Sequence, residues 1–399
     1  MNSPVHRRAG IYVHIPFCER LCPYCDFAVS IKVDIPHQQY TRAVLNELRS
    51  RREELRHYRV ATIYFGGGTP SLLDVEMLGR ILERIEQWFD LEDRPEVTME
   101  ANPNQVTDEN LRRWTDIGIG RLSIGCQSFQ DRHLEALRRN HSGDQAFDAV
   151  QRALEVMDRV SMDLMFAGPS QPMEEWGADL ELMQRMVREQ GLDHVSGYNL
   201  TIEPGTAFWI RRKRGTVVTP DHDTAAAMLE RLVEATDEVG LRRYEVSNFA
   251  VDGAESEHNS SYWRGRPYLG VGAGAHSLQV GVGGRAQRRK NPRRYDDYIE
   301  AGGEPEEVER LDPADHLAER LFLGARSRRG VDIDEIQQLF GSSLGDVVDE
   351  VRPVLDDLVD RGWMRLDDGV VYRPTNRGLD FSDSLAQWLF EAVDEVVST

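Results

Sequence analysis

Three of the four cysteines, Cys18, Cys22 and Cys25, stand within eight residues of each other in the stretch IPFCERLCPYCDF. Offsets of four and three put three thiols on one short segment, and thiolates grouped in this way bind soft metal centres. A structural zinc ion wants four protein ligands in paired sets. Here the fourth thiol, Cys126, is about a hundred residues further on, and His14 falls inside a strand-like run. A cubane [4Fe–4S] cluster held by three thiolates makes better sense, because one iron is then left without a protein ligand as a place to bind and activate a molecule. A zinc knuckle, a redox thiol pair and a buried turn are the other readings that the spacing admits.

Such thiols need rigid elements to present them. Short apolar runs at 11–15, 60–65, 96–100, 120–125, 159–166 and 193–199 read as strands, with helical periodicity between them at 38–57, 74–89, 107–117, 143–157 and 173–190. Six β/α units in series predict an α/β fold with a parallel sheet over residues 1–240, either open or curled into a partial (β/α)6 barrel. Polar and glycine-rich stretches follow the strands: GGGTP from Gly66, EANP from Glu100, then Cys126–Gln127–Ser128, with Asp163 inside the fifth strand. Ligands bind at the C-terminal ends of parallel strands, so these residues predict a single site.

Residues 241–311 shift towards glycine, aromatics and arginine, which predicts an irregular extension covering the sheet. From 312 to 399 the pattern turns helical again, at 313–326, 332–340 and 345–361, before a hairpin WMRLDDGVVYRPT with an Asp-Asp-Gly turn. That pattern resembles a winged-helix module. It carries 19 Asp and Glu against 9 Arg, a net of −10, so a duplex would be repelled and a structural or protein-contact role is expected.

The whole chain carries a formal charge of −20, which argues against nucleic acid as a partner. Neither a signal-peptide pattern nor an apolar run long enough to cross a bilayer is present in the sequence, so a cytoplasmic protein with reduced thiols is expected. Cys126 reads as a small buried side chain.

The segments YVHIPFC, CPYCDF, YFGGGTPS, EANP, CQSF, RRNH, DLMF, YNLTIEPGT, YEVSNFA and HNSSYW occur in this order between Tyr12 and Trp263. Together they resemble the radical S-adenosylmethionine (SAM) superfamily, and within it the branch of oxygen-independent coproporphyrinogen III oxidases and HemW-type heme chaperones. The resemblance implies a [4Fe–4S] cluster on Cys18, Cys22 and Cys25. It also implies SAM chelated at the open iron and cleaved by one electron to a 5′-deoxyadenosyl radical, with the protein supplying orientation and exclusion of water. It places Tyr12 and Tyr24 near the cluster and adenine, and makes Glu100, Gln127, Arg139 and Asp163 cofactor contacts. Gly67, Gly68 and Thr69 would let the backbone approach the methionyl amine. Ala167–Gly168–Pro169 departs from the family's Gly-Leu-Pro, which puts the turn there in doubt.

The two family activities differ in detail. The oxidase pattern has a further cysteine two places after the third cluster cysteine, where this chain has Phe27, and it has a longer N-terminal leader than the 17 residues before Cys18. Both features favour the chaperone, which implies heme as ligand, a reductant for the cluster, and heme-acceptor proteins such as membrane-associated respiratory enzymes as partners. Decarboxylation of coproporphyrinogen III is the alternative. The resemblance brings His258 of HNSSYW forward as a heme ligand, with Tyr262 and Trp263 able to stack on a macrocycle. The basic stretch Arg285 to Arg294 is expected to attract propionates or an acidic partner.

Overall fold

The computed structural model describes residues 8–345 and 347–397. Six strands, β1 (Arg8–Ile15), β2 (Arg59–Gly67), β3 (Leu91–Ala101), β4 (Arg121–Gln127), β5 (Arg159–Phe166) and β6 (His194–Asn199), pair in parallel in chain order. β1 and β6 do not pair with each other, so the barrel stays partial. The principal core lies between this sheet and its helices, with Ile11, Phe65, Leu122, Ile124 and Leu164 from the strands against Leu78, Ile81 and Val150 from the helices, and Cys126 buried among them. Helices cover the outside, and their starts are written in the sequence. Asp74 accepts from the backbone of Glu76 at the head of Val75–Trp88, Thr107 caps Asp108–Asp116, and Ser142 with Gln145 forms a capping box before Gly143–Val156.

Residues 241–311 correct the expectation of an irregular cover, because they lengthen the same sheet at both edges. Asn248–Ala250 pairs antiparallel with β6, followed by Arg242–Arg243, while Tyr268–Val271 runs parallel to β1 and leads on through His276–Val280, Ala286–Lys290 and Glu307–Leu311. The result is one 12-stranded sheet. These strands are two to five residues long, too short to display a period of two.

Beyond residue 312, the helices Pro313–Gly324, Ile333–Leu344 and Val347–Asp360 surround a second core of Leu317, Leu321, Phe340 and Leu355. Val331–Asp332 and the hairpin Met364–Asp367/Val371–Pro374 form a three-stranded sheet, the expected winged-helix arrangement. The turn places Asp368 at φ 52° and Gly369 at φ 74°, the left-handed pair that a tight hairpin demands. Two contacts join this module to the barrel unit: a part-buried one from Arg243 Nη1 to Asp380 Oδ1 at 2.6 Å, and the buried His316 ring to the Gly284 carbonyl at 2.7 Å. Among the described residues no helix is long and apolar enough to cross a membrane.

Candidate functional site

At the end of β1 the chain turns out of the sheet at Pro16. Two two-residue strands, Phe17–Cys18 and Ser30–Ile31, pair in parallel and close a loop that carries all three clustered cysteines. Hydrogen bonds tie the loop down along its length. Ser30 N–H donates to Pro16 C=O (2.6 Å), Glu19 accepts from Asn140 Nδ2 (2.6 Å), and Arg293 donates to the carbonyls of Asp26 and Phe27. Cys18, Cys22 and Cys25 are half-buried free thiols on the wall of one cavity of about 460 Å³.

Burial pushes the Cys18 thiol up to about 11, and burial likewise raises Cys25. Three thiolates this close, half out of water, repel one another, and a cationic metal centre removes the conflict. Among the described residues no three His, Cys, Asp or Glu side chains converge as a single ion would need. Each iron of a cubane takes one thiolate, so a cluster spreads its ligands further apart than a lone ion does. The donor set therefore suits a [4Fe–4S] cluster held by three thiolates.

The opposite wall comes from the strand ends. β2 ends in the glycine turn, where Gly67 adopts φ 118° and donates its N–H to Glu100 Oε2 at 3.1 Å. A Cβ on Gly67 would lie 2.5 Å from the His14 ring. On Gly68 it would meet the Phe17 carbonyl at 2.8 Å and Cys18 Sγ at 2.9 Å. The glycines thus let the turn sit directly against the cysteine loop. Thr69 continues the seam, its N–H on Phe17 C=O at 2.9 Å and its hydroxyl 3.6 Å from Cys18 Sγ.

Two carboxyls lie deeper. Glu100 also accepts from Tyr64 Oη at 2.9 Å, and Asp163 accepts from Ser123 Oγ at 3.2 Å. Burial raises Glu100 to about 7 and Asp163 to about 6, and the Asp163 charge pushes Glu100 further in the same direction. Carboxyls poised this way at a cavity wall mark a place for a cationic or hydroxyl-bearing ligand.

Arg139 crosses between the two walls. Its Nη2 donates to Asn102 Oδ1 at 2.6 Å and to Gly125 C=O at 3.0 Å, while Nη1 lies 3.6 Å from Cys22 Sγ. Its Nε is buried without a partner among the described residues. Tyr24 packs on Phe208 beside this guanidinium. Gln127 reaches the same cavity from a backbone at φ 68°, a conformation that costs a non-glycine residue roughly 1–2 kcal/mol and recurs at functional sites. Cys18, Cys22, Cys25, Tyr24, Gly67, Gly68, Thr69, Glu100, Gln127, Arg139 and Asp163 all line this one cavity.

Tyr12 and His258 do not. Tyr12 borders a neighbouring cavity of about 370 Å³, which shares Gly67, Glu100 and Phe27 with the first. His258 is buried, with Nδ1 2.7 Å from Thr62 Oγ1, Nε2 2.9 Å from Tyr262 Oη, and its ring stacked on Tyr64. In this structure His258, expected as a heme ligand, has both ring nitrogens engaged and its ring in an aromatic stack. Burial holds it at about 3, a neutral imidazole.

Three residues that the sequence did not single out also belong to the cavity. Asn102 links Arg139 to Thr69, its Nδ2 lying 3.3 Å from Thr69 Oγ1, and Thr201 and Glu203 approach from beyond β6. Asn102 lies in EANP, and the other two lie in YNLTIEPGT, so the motifs carried the signal without saying which side chain faced inward. The turn at Ala167 departs from the family pattern and adopts a left-handed φ of 58°.

Residues 12–183 match the radical SAM superfamily, and residues 311–381 match the HemN C-terminal domain. The chain is 35% identical over 335 residues to the heme chaperone HemW of Lactococcus lactis, covering 83% of this chain and 85% of that one. The chain belongs to the HemW family of the radical SAM superfamily. HemW of Bacillus subtilis is 33% identical over 366 residues, covering 90% of this chain and 94% of that one. Identity to the mitochondrial radical S-adenosyl methionine domain-containing protein 1 of Mus musculus is 35% over 400 residues, 97% of this chain and 88% of that one. Coproporphyrinogen III oxidase HemN of Escherichia coli shares the fold with a TM-score of 0.79, covering 97% of this chain and 91% of that one at 20% identity.

Proposed function

We propose that this HemW-family chain is a heme chaperone that carries a [4Fe–4S] cluster and SAM, binds heme and delivers it to acceptor proteins such as respiratory cytochromes. The single observation that supports this over porphyrinogen decarboxylation is Phe27 in the CxxxCxxCxF stretch. Where the oxidase pattern puts a fourth cysteine, this chain puts an exposed phenyl ring.

Cys18, Cys22 and Cys25 would hold the cluster, which when bound supplies an electron to the sulfonium. Glu100 would accept from the methionyl ammonium, alongside the backbone of Gly67, Gly68 and Thr69. Arg139 offers a buried guanidinium to a carboxylate. Asp163 and Gln127 would serve the ribose hydroxyls, and Tyr24 would give adenine an aromatic neighbour. A cellular reductant would charge the cluster, and a cytoplasmic setting suits the free thiols.

The test is anaerobic reconstitution followed by heme titration and a coproporphyrinogen III turnover assay on the same sample. Stoichiometric heme binding, about four irons per chain lost in the triple Cys→Ala variant, and no protoporphyrinogen IX are expected. Multiple turnovers to protoporphyrinogen IX would overturn the chaperone reading.

A further inference from the structure

The second cavity lies next to the cofactor site and is built for a different ligand. Its inner wall is the half-buried Tyr12 with the buried His14. Its outer edge is formed by Phe27, Tyr268, His276, Lys290 and Arg293. Two imidazoles reach it, in opposite states. His14 is fully engaged, Nε2 at 2.8 Å from Ala28 C=O and Nδ1 at 3.2 Å from Tyr12 Oη. His276 is exposed, and neither of its ring nitrogens has a hydrogen-bond partner among the described residues.

Cations stand beside that free imidazole. His276 and Lys290 are directly paired across antiparallel strands, so their side chains share one face of the sheet edge. Lys290 has only a long contact to Glu307, 3.8 Å between two solvent-exposed groups. Arg293 spends its hydrogen bonds on backbone carbonyls and has no carboxylate within ion-pair distance among the described residues. Three other arginines of the basic stretch are committed: Arg288 pairs with Glu309 and Glu319, Arg289 with Glu54, and Arg294 with Asp297. Two carboxyls also border the cavity, Asp26 on the exposed loop and Glu100, which is shared with the cofactor site.

We propose that this cavity seats one edge of an iron tetrapyrrole, with His276 as axial ligand, Lys290 and Arg293 facing the propionates, and Phe27 against the macrocycle. The inference rests on the heme-chaperone reading and names the site within it. Neutral imidazole binds heme iron. Partial desolvation, followed by Lys290 and Arg288, lowers His276 from its ordinary value and so favours the neutral ring. At about 370 Å³ the cavity lies near the small end of ligand sites and can enclose only part of a macrocycle. The remainder would lie over Phe27 and stay open to a receiving protein.

The experiment titrates heme, and separately its dimethyl ester, into anaerobically prepared wild type, His276→Ala, His276→Met and Lys290→Glu, with iron content and thermal melting as folding controls. Wild type is expected to shift the Soret band and to favour the free acid. His276→Ala should lose that shift and bind about tenfold more weakly, His276→Met should show a thioether-type spectrum, and Lys290→Glu should no longer favour the free acid over the ester. If wild type binds heme and all three variants titrate like it, this site is wrong and the chaperone reading stands. If wild type binds no heme, the reading itself falls and the site with it.

Discussion

Arg139 Nη1 lies 3.6 Å from Cys22 Sγ, while the same guanidinium donates to Asn102 and Gly125 on the far wall. One side chain therefore couples the cysteine loop to the strand ends. Arg139→Leu should lower SAM affinity at least about tenfold and reduce bound iron, and Arg139→Lys should recover part of the affinity, since it restores charge but not the fork. Calorimetric titration with iron quantified on the same sample checks this. Equal affinity in a folded Arg139→Leu protein would remove the residue from the site.

The raised value of Glu100 fixes the sign of a pH effect. Its carboxyl titrates near 7 when the site is free, and a bound ammonium favours the ionised form. Binding near pH 6 should therefore release a proton and be weaker than at pH 8. Calorimetry in buffers of different ionisation enthalpy reads that proton, and Glu100→Gln should abolish it. In the ligand-free protein the same shift means that Glu100's contribution to stability is full below 4.5 and falls as pH rises through about 7.

His258 should behave as a structural residue. Replacing it with alanine leaves Thr62 and Tyr262 without their partner, an expected loss of about 1–3 kcal/mol in stability with the heme spectrum unchanged. Its value of about 3 means that its contribution is present above the ordinary imidazole value and is lost as pH falls towards 3. Denaturant unfolding together with a Soret titration separates the two roles.

Gly68 is the sharpest test of the contact between the turn and the cysteine loop. In Gly68→Ala the new methyl would crowd the Phe17 carbonyl at 2.8 Å and Cys18 Sγ at 2.9 Å. The variant should lose iron in anaerobic reconstitution while keeping the circular dichroism of the parent. Full iron occupancy would show that the seam can open without cost.

The sequence exposed what repeats and hid what depends on distant partners. The six core strands were legible because each carries a short apolar run, as in β1 with Ile11, Val13 and Ile15, which enter the principal core. The cysteine spacing and the glycine turn were legible because few chemistries tolerate those residue types together. The edge strands were not, since Asn248–Ala250 owes its pairing to β6, about fifty residues earlier. His258 was read as a heme ligand, and its packing inside the aromatic stack was not legible. Its helix, Glu257–Trp263, is seven residues long, and the residues that occupy the ring, Thr62 and Tyr64, lie on β2. Asn102 was visible in a motif, but only the fold turns it towards Arg139.

The three thiols ride on a segment whose only regular structure is a pair of two-residue strands, and it turns Leu21, Phe27, Ile31 and Val33 towards solvent. The principal core is assembled without Cys18, Cys22 or Cys25. Folding and metallation are therefore separable events in the life of the chain. The barrel core does not depend on those thiols, so a cluster held there could be lost and reloaded on an intact scaffold.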